Sequence, residues 1–362
     1  MPQDHEAVRL LERLIGIPSL SRKEGPIADF LISYLADRGV SVNRHDDNIY
    51  FVVGSGRRRL LLNTHLDVVP PSTSHPFDPF SPTMHEGFLW GRGAVDAKAS
   101  VAAMVTAALE LSDEGWPDGD SAVVVALTTC EELGGQYNGL EALLPHLPAF
   151  DAALVGEPTE LKPCTAQKGL LILNVVARGR AAHAARASLG ENAITKVAYD
   201  LRRLDQIGLD REDPLLGPVT ITPTVISGGD ARNTVPDECT VTLDIRSTPS
   251  YTHGELFDLI ASALDSDVLI HSDRLIPVHT VADEPIVKAA TAASGASPFG
   301  SPTMSDWIFL AGTPTVKIGP GSSELSHTSD ERIRPDEIVS GVAVYREIAT
   351  RYFQESGKSR DD

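Results

Sequence analysis

Cysteine is scarce in this chain of 362 residues, which contains only the widely spaced Cys130, Cys164 and Cys239. Three scattered thiols exclude a disulfide framework and a cysteine-type zinc site. Long apolar runs are also missing, so no segment of the sequence is predicted to span a bilayer. The first residues lack the basic and apolar regions of a signal peptide. We therefore expect a cytoplasmic protein with no membrane partner.

Basic residues are few, because 31 Lys and Arg stand against 50 Asp and Glu and give a formal net charge of −19. Nucleic-acid binding requires clustered cations that neutralise phosphates. The single basic run, Arg57-Arg58-Arg59, precedes an apolar run and is interpreted as a solvated turn. We expect no nucleic-acid partner. A pyridine-nucleotide enzyme is excluded as well, since no Gly-x-Gly-x-x-Gly turn follows a strand near the start.

Apolar runs alternate with helical patterns in the first part of the chain. This alternation predicts an α/β fold with a mostly parallel sheet flanked by helices. A Ser21-x-x-Glu24 pattern predicts a capping box that opens an early helix. The predicted strands are 60–63, 122–129 and 152–155, and the predicted helices between them are 97–111 and 139–144.

The pattern changes near residue 168, where alternating strands begin to outnumber helices. The order β-α-β-β-α-β over 168–278 predicts an inserted ferredoxin-like α+β domain, in which Thr252-x-x-Glu255 caps the second helix. The first domain is thus expected to comprise 1–167 and 279–362. Its last part is predicted to contain helix 284–293, strand 315–318 and helix 335–353.

Imidazoles and carboxylates follow several of the predicted strands. The side chains at such strand ends are His65, Asp67, the pair Glu131-Glu132 and Glu157, while His327 comes after the strand at 315–318. An open α/β sheet builds its active site outside the carboxyl ends of its strands. Histidine and carboxylate ligands suit zinc. Of two adjacent glutamates, one could ligate a metal while the other accepts a proton.

Each of these residues also has an ordinary structural explanation. His65 could be a buried histidine paired with Asp67, and Asp96 is typical of a helix N-cap. The pair Glu131-Glu132 could be exposed in a loop, and so could Glu157. Taken singly, none of the patterns decides between structure and chemistry.

Five motifs surround these residues along the chain: Thr64-His65-Leu66-Asp67-Val68-Val69-Pro70, Gly91-Arg92-Gly93-Ala94-Val95-Asp96-Ala97-Lys98, Glu131-Glu132-Leu133-Gly134-Gly135, Gly156-Glu157-Pro158-Thr159 and Ser326-His327-Thr328. In sequence and in order they resemble the motifs of the co-catalytic zinc amidohydrolases, the family of acetylornithine deacetylase, succinyl-diaminopimelate desuccinylase and aminoacylase. The motifs at 301–306 and 317–321 are similar to those of its shorter branch, the acetylornithine and acetylcitrulline deacetylases.

The resemblance implies a dinuclear site with two Zn²⁺ ions, for which Co²⁺ could substitute. Asp96 would bridge the two ions. The ligands completing the first site would be His65 and Glu157, and those completing the second would be Glu132 and His327. Asp67 would orient His65, and Glu131 would be the general base. The resemblance also implies a cis peptide bond after Asp96.

The inserted domain resembles the lid and dimerisation domain of the same family. The resemblance implies a homodimer in which His183 stabilises the oxyanion in the partner's active site. Asn233 and Arg246 match substrate-binding positions, and Arg246 could pair with an α-carboxylate. An ion pair between Arg246 and Asp244 is the alternative interpretation.

The expected activity is metal-dependent cleavage of the amide in an N-acyl-L-amino acid. The branch resemblance favours an N-acetyl-L-ornithine or N-acetyl-L-citrulline deacetylase of arginine biosynthesis. Alternatives are an N-succinyl-amino-acid desuccinylase, a hydrolase of carrier-linked lysine or ornithine, and a dipeptidase or carboxypeptidase. A catalytically dead binding or scaffold protein is a further alternative from a different class, which a missing metal ligand would indicate; no ligand is missing.

Overall fold

The computed structural model describes residues 2–116, 119–134 and 137–358. They divide into two compact units. The first unit runs to residue 165 and resumes with 280–299 and from 305 onward, and the second unit comprises 166–279 and 300–304. No helix within the described residues is both long enough and apolar enough to cross a membrane.

The described residues form eight α-helices, labelled α1 to α8 in chain order. Short 3₁₀ turns also occur, among them Glu131–Leu133 and Asp306–Leu310. The helices are α1 Glu6–Ile15, α2 Gly25–Ala36, α3 Lys98–Asp113, α4 Gly139–Leu143, α5 Ala193–Leu204, α6 His253–Ala263, α7 Pro285–Ser294 and α8 Pro335–Lys358.

Eighteen strands occur in the same residues and are labelled β1 to β18. The strands are β1 Val42–His45, β2 Asn48–Gly54, β3 Arg58–His65, β4 Thr83–His85, β5 Phe88–Trp90, β6 Ser121–Thr128, β7 Ala152–Val155, β8 Cys164–Gln167, β9 Gly169–Arg178, β10 Ala182–His183, β11 Thr220–Gly228, β12 Thr234–Val235, β13 Glu238–Ser247, β14 Asp267–Leu275, β15 Val278–His279, β16 Phe299–Ser301, β17 Thr315–Lys317 and β18 Arg332–Ile333.

The central sheet of the first unit has a parallel middle, as predicted. Its strand order runs β1-β2-β6-β3-β7-β17-β8, in which β6, β3, β7 and β17 are mutually parallel and β8 is antiparallel to β17. The outer strands β1 and β2 run antiparallel to their neighbours. All eight residues of β6 and all four of β7 are buried, which is typical of parallel strands covered on both faces.

Helices α1, α3 and α8 form one packed group in the first unit. Helix α3 is almost entirely buried and rich in alanine, so that neighbouring elements approach it closely. Helix α8 begins at Pro335, a residue favoured in the first turn because its missing N–H would be unpaired there anyway. These helices and the sheet share one apolar core.

The second unit contains an antiparallel sheet in the order β11-β13-β9-β14. With helices α5 and α6 it confirms the predicted β-α-β-β-α-β succession. Side chains alternate between buried and partly exposed along β13, as a sheet with one covered face requires. The capping box predicted at Thr252 and Glu255 is present at the start of α6.

The capping box predicted at Ser21 and Glu24 is wrong. Helix α2 begins at Gly25 and its N-cap, Glu24, makes no side-chain capping hydrogen bond. Both side chains instead reach distant parts of the first unit: the Ser21 hydroxyl donates to Asp67 at 2.7 Å, and the Glu24 carboxylate accepts from the Cys130 amide at 3.0 Å. Tertiary partners therefore outcompete the local cap.

Candidate metal centre

Parallel pairing brings four strand ends to one edge of the central sheet. His65, the last residue of β3, pairs with Thr128 at the end of β6. Val155 at the end of β7 pairs with Lys317 at the end of β17. The segments that follow these ends contain the candidate residues, which is the location where open α/β sheets bind ligands. These segments supply Asp67, Glu131, Glu132, Glu157 and His327.

His65 is held on both sides of its ring. Its side chain is 1% exposed, and Nδ1 lies 2.9 Å from the Asp67 backbone oxygen. Nε2 lies 3.1 Å from Asp96 Oδ1 and 3.8 Å from Glu157 Oε1. A ring that donates its Nδ1–H to Asp67 presents an unprotonated Nε2 to a metal ion.

Asp67 is a fully buried carboxylate with four neighbours. Oδ1 lies 3.4 Å from His65 Nδ1 and accepts from the Glu131 amide at 3.1 Å. Oδ2 accepts from the Glu132 amide at 3.1 Å and from the Ser21 hydroxyl. Asp67 thus fixes both an imidazole and the backbone of the glutamate pair. Sequence spacing indicated the first contact only.

Asp96 does not cap α3, contrary to the ordinary interpretation of its position. The N-cap of that helix is Ala97, without a side-chain capping bond, and the Asp96–Ala97 peptide is cis, as the family resemblance implied. Gly93 turns the chain just before, at φ +85°, and a Cβ there would lie 2.8 Å from the Lys98 side chain. The Asp96 carboxylate is therefore free to face the imidazoles.

The glutamate pair lies in a 3₁₀ turn directly after β6. Cys130, in the left-handed region at φ +59°, redirects the chain into this turn, a conformation that is uncommon for residues other than glycine. The Glu132 carboxylate meets His327, whose Nε2 lies 2.9 Å from Oε2 and 3.5 Å from Asp96 Oδ2. The His327 side chain is 52% exposed, the most open of the ligand candidates.

The candidate ligand atoms form three overlapping groups, each with all atoms within 4.8 Å of one another. The first contains His65, Asp96 and Glu157, and the second contains Asp96, Glu132 and His327. Asp96 belongs to both. The third group contains His65, Glu131 and Glu132. Glu131 is therefore close to the other donors but absent from the two groups that share Asp96.

The electrostatics of the cluster follow from burial and crowding. Burial raises the pKa of Glu157 and of Glu131 well above the ordinary carboxyl range, and the charges of Asp96 and Glu157 respectively raise them further. Burial opposes protonation of His65, yet its hydrogen bonds to Asp67 and Asp96 raise its pKa. Carboxylates this close destabilise one another unless a cation lies between them.

The donor set fits divalent metal ions. Glu157 Oε1 is buried without a hydrogen-bond partner among the described residues, and a buried unpaired carboxylate oxygen is costly. A cation next to His65 and Asp96 would satisfy it. Imidazole and carboxylate donors in threes are typical of zinc sites that leave a position open for water or substrate.

Two buried residues near Asp96 were missed as site residues from the sequence. Glu331 accepts from the Asp96 amide at 3.1 Å and lies 2.6 Å from Arg92. Arg92 stood within a quoted motif, but nothing in the sequence indicated its partner, since Glu331 is 239 positions away. The only available signal was an acidic residue shortly after His327.

The second unit contains the three remaining candidates. His183 is exposed at the end of β10, with Nδ1 accepting from the Ala185 amide at 3.1 Å. Asn233 is exposed, and its backbone carbonyl accepts from the Ala184 amide at 2.8 Å. Arg246 forms the ion pair considered from the sequence, with Nε and Nη2 at 2.8 and 3.1 Å from the two carboxylate oxygens of Asp244. Substrate roles for these residues stay predictions.

Solved structures share the fold of this chain. A tripeptidase from Staphylococcus aureus matches with a TM-score of 0.80 at 21% identity, covering 97% of this chain and 98% of that one. A dinuclear metal-binding peptidase of the M20 family from Bacillus subtilis matches with a TM-score of 0.73 at 14% identity, covering 95% and 96%. At such identities the similarity shows the fold alone.

Sequence relatives cover nearly the whole chain. Succinyl-diaminopimelate desuccinylase 2 of Ruegeria sp. is 28% identical over 98% of this chain and 96% of its own length. A protein named probable carboxypeptidase from Aspergillus flavus is 30% identical over 92% and 87%. The model of peptidase family M20/M25/M40 matches residues 61–351. The chain therefore belongs to peptidase family M20/M25/M40 and is a metal-dependent hydrolase.

Proposed function

We propose that this protein hydrolyses the amide bond of an N-acyl-L-amino acid at a dinuclear zinc site. Asp96 would be a ligand of both ions, His65 and Glu157 would complete the first site, and Glu132 and His327 would complete the second. The observation that carries it is the shared carboxylate: Asp96 Oδ1 lies 3.1 Å from His65 Nε2, and Oδ2 lies 3.5 Å from His327 Nε2.

Bound divalent ions polarise a carbonyl and make water a better nucleophile at neutral pH. Glu131 takes the proton of the attacking water and passes it to the leaving amine. Two observations support this role: Glu131 is absent from both groups that share Asp96, and Asp67 holds its backbone amide. A carboxylate beside the ligands, rather than among them, can exchange protons without releasing a metal.

The preferred substrates in this proposal are N-acetyl-L-ornithine and N-acetyl-L-citrulline, which would assign the enzyme to arginine biosynthesis. The motifs at 301–306 and 317–321 support this choice. Arg246 would bind the substrate's α-carboxylate, for which it has a partly exposed guanidinium, and Asn233 would contact the acyl amide.

The relatives favour a second candidate. Several are named succinyl-diaminopimelate desuccinylase, and they align over nearly their full lengths. An N-succinyl substrate would assign the enzyme to lysine biosynthesis instead. The carboxypeptidase names among the relatives support the alternative of a free peptide substrate.

A substrate panel decides among these candidates. The purified enzyme, loaded with zinc or with cobalt, is assayed by amine release on N-acetyl-L-ornithine, N-acetyl-L-citrulline, N-succinyl-L,L-diaminopimelate and a set of dipeptides. We expect kcat/KM to be largest for one of the N-acetyl compounds. A clear preference for the succinyl compound would replace the first candidate with the second. Failure on every compound in the metal-loaded state would contradict the proposed activity.

We also propose that the enzyme is a homodimer in which His183 stabilises the oxyanion in the partner subunit's site. Two observations support this role: His183 is exposed, and its hydrogen bond to the Ala185 amide uses Nδ1 rather than Nε2. Variants His183→Ala and Glu131→Gln are each expected to be inactive. Mixed dimers of the two should recover about one working site, because one site then combines an intact Glu131 with an intact His183. A fully active monomer would overturn the idea.

A further inference from the structure

A buried ion pair between Arg92 and Glu331 contacts the backbone of the segment that carries Asp96. The side chains of Arg92 and Glu331 are 2% and 0% exposed, and Arg92 Nη1 lies 2.6 Å from Glu331 Oε2. The other carboxylate oxygen, Oε1, accepts from the backbone amides of Val95 at 2.9 Å and Asp96 at 3.1 Å. One carboxylate is thus satisfied by a guanidinium and two amides, which is what a buried charge requires.

The pair also joins two stretches that are far apart in the chain. Arg92 precedes Asp96 by four residues, and Glu331 follows His327 by four. The Gly91 amide donates to the Glu331 carbonyl at 3.3 Å, and β18 pairs with β5 immediately beyond. Any shift of one stretch would therefore be transmitted to the other.

We propose that Arg92 and Glu331 are positioning residues that set the second metal site, the one formed by Asp96, Glu132 and His327. This inference rests on the proposed dinuclear function. The pair fixes the backbone of Asp96 against the segment that bears His327, so that Asp96 Oδ2 and His327 Nε2 face one cation. Neither residue touches the reacting atoms.

The first site depends less on this pair. His65 is the last residue of β3 and Glu157 follows β7, two paired strands of the central sheet, and His65 is separately held by Asp67. His327, in contrast, lies in an irregular segment at φ +62° and is half exposed. Loss of the pair is therefore expected to weaken the second site far more than the first.

The test is a titration of metal-free protein with Co²⁺. Binding is measured by calorimetry and by the visible absorption of the bound cobalt. The wild type is expected to bind two ions. In Glu331→Gln and in Arg92→Gln, we expect the first ion to bind as in the wild type and the second to bind about 10–100-fold more weakly, the range for partners that orient ligands. Arg92→Lys retains the charge and should lose less.

Replacing both members tests whether the pair acts as a unit. In Glu331→Gln alone, the new amide group faces the Arg92 donors and leaves a charge buried without a partner. The double variant Arg92→Gln/Glu331→Gln removes that charge and keeps an oxygen for the Val95 and Asp96 amides. We expect it to bind the second ion more tightly than either single glutamine variant.

Arg346→Gln is the control, because it removes ion pairs with Glu110 and Glu114, each at 2.7 Å, that involve none of the proposed ligands. It should lower the melting temperature and leave both cobalt affinities unchanged. A wild type that binds fewer than two ions would contradict the proposed function itself. If the wild type binds two ions, the inference is overturned by variants that keep the wild-type second affinity, or that lose both ions equally.

Discussion

The candidate residues of the two units differ in their burial and in the hydrogen bonds that they form within the protein. In the first unit the side chains of His65 and Asp67 are buried, that of Asp96 is 12% exposed, and His65 hydrogen-bonds to both aspartates. In the second unit His183 and Asn233 are exposed, and the main partner of Arg246 is its neighbour Asp244. The first-unit candidates are therefore positioned by contacts with one another, whereas the exposed second-unit candidates remain accessible to a substrate or a partner.

The largest effect on activity is expected from removal of metal from the first-unit site. Exhaustive chelation is expected to abolish hydrolysis, because the proposed mechanism requires metal ions, held by the first-unit carboxylates and imidazoles, to activate water. Added Zn²⁺ or Co²⁺ should restore it. The measurement is turnover before and after metal replacement. Full turnover in verified metal-free protein would end the proposal.

The next largest effect is expected from Glu131→Gln. Removing a general base typically lowers the rate by about 10²–10⁴-fold, and the amide keeps the shape of the side chain. We expect kcat to fall by such a factor while both metals stay bound, as measured by metal analysis after gel filtration. Glu132→Gln is the control and should lose metal. Near-normal turnover, or metal loss in Glu131→Gln, would reverse the assigned roles.

Asp67→Asn should have a smaller effect. The Asp67 carboxylate accepts hydrogen bonds at both oxygens, but an asparagine has only one side-chain oxygen to accept them. Its NH₂ group would replace the other oxygen and would face a backbone N–H or the His65 ring, where a second donor is unfavourable. We expect metal affinity or activity to fall by about 10–100-fold. Ser21→Ala removes one of these hydrogen bonds and should show a minor loss. Wild-type affinity in Asp67→Asn would show that Asp67 does not orient the site.

The smallest effect is expected in the second unit, from Arg246→Ala. A charge-assisted hydrogen bond contributes roughly 1.5 kcal/mol, or about tenfold in affinity. We expect KM for an N-acyl amino acid to rise by about that factor with little change in kcat. Asp244→Ala, which frees the guanidinium, should not raise KM. Equal KM values in Arg246→Ala and the wild type would leave the ion pair with Asp244 as the sole role of Arg246.

The sequence predicted the fold well where side-chain pattern and burial coincide. The strand at 152–155 is confirmed residue for residue, because a short apolar run between polar loops has no competing register. The cap at Thr252 is confirmed for the same reason, since its hydrogen bonds are local. The cap at Ser21 failed because its hydroxyl has a better acceptor in Asp67, which local sequence cannot reveal.

Most candidate ligands were found because they end or follow a predicted strand, Asp96 was found through its motif alone, and all the motifs occur in the order of a known family. What connects them was not found. Glu331 contacts Arg92 and the Asp96 amide through the fold alone, and no periodicity or spacing relates residues so far apart. Tertiary partners of this kind become visible only when the chain is folded.

The position of His327 in the chain has a consequence for synthesis. His65, Asp96, Glu132 and Glu157 all precede the second unit, and His327 follows it. A chain emerging from the ribosome would display its other proposed ligands long before the last one. A product that stops before His327 would therefore hold at most one ion with its full set of protein ligands, and completion of the second site would report that synthesis has passed His327.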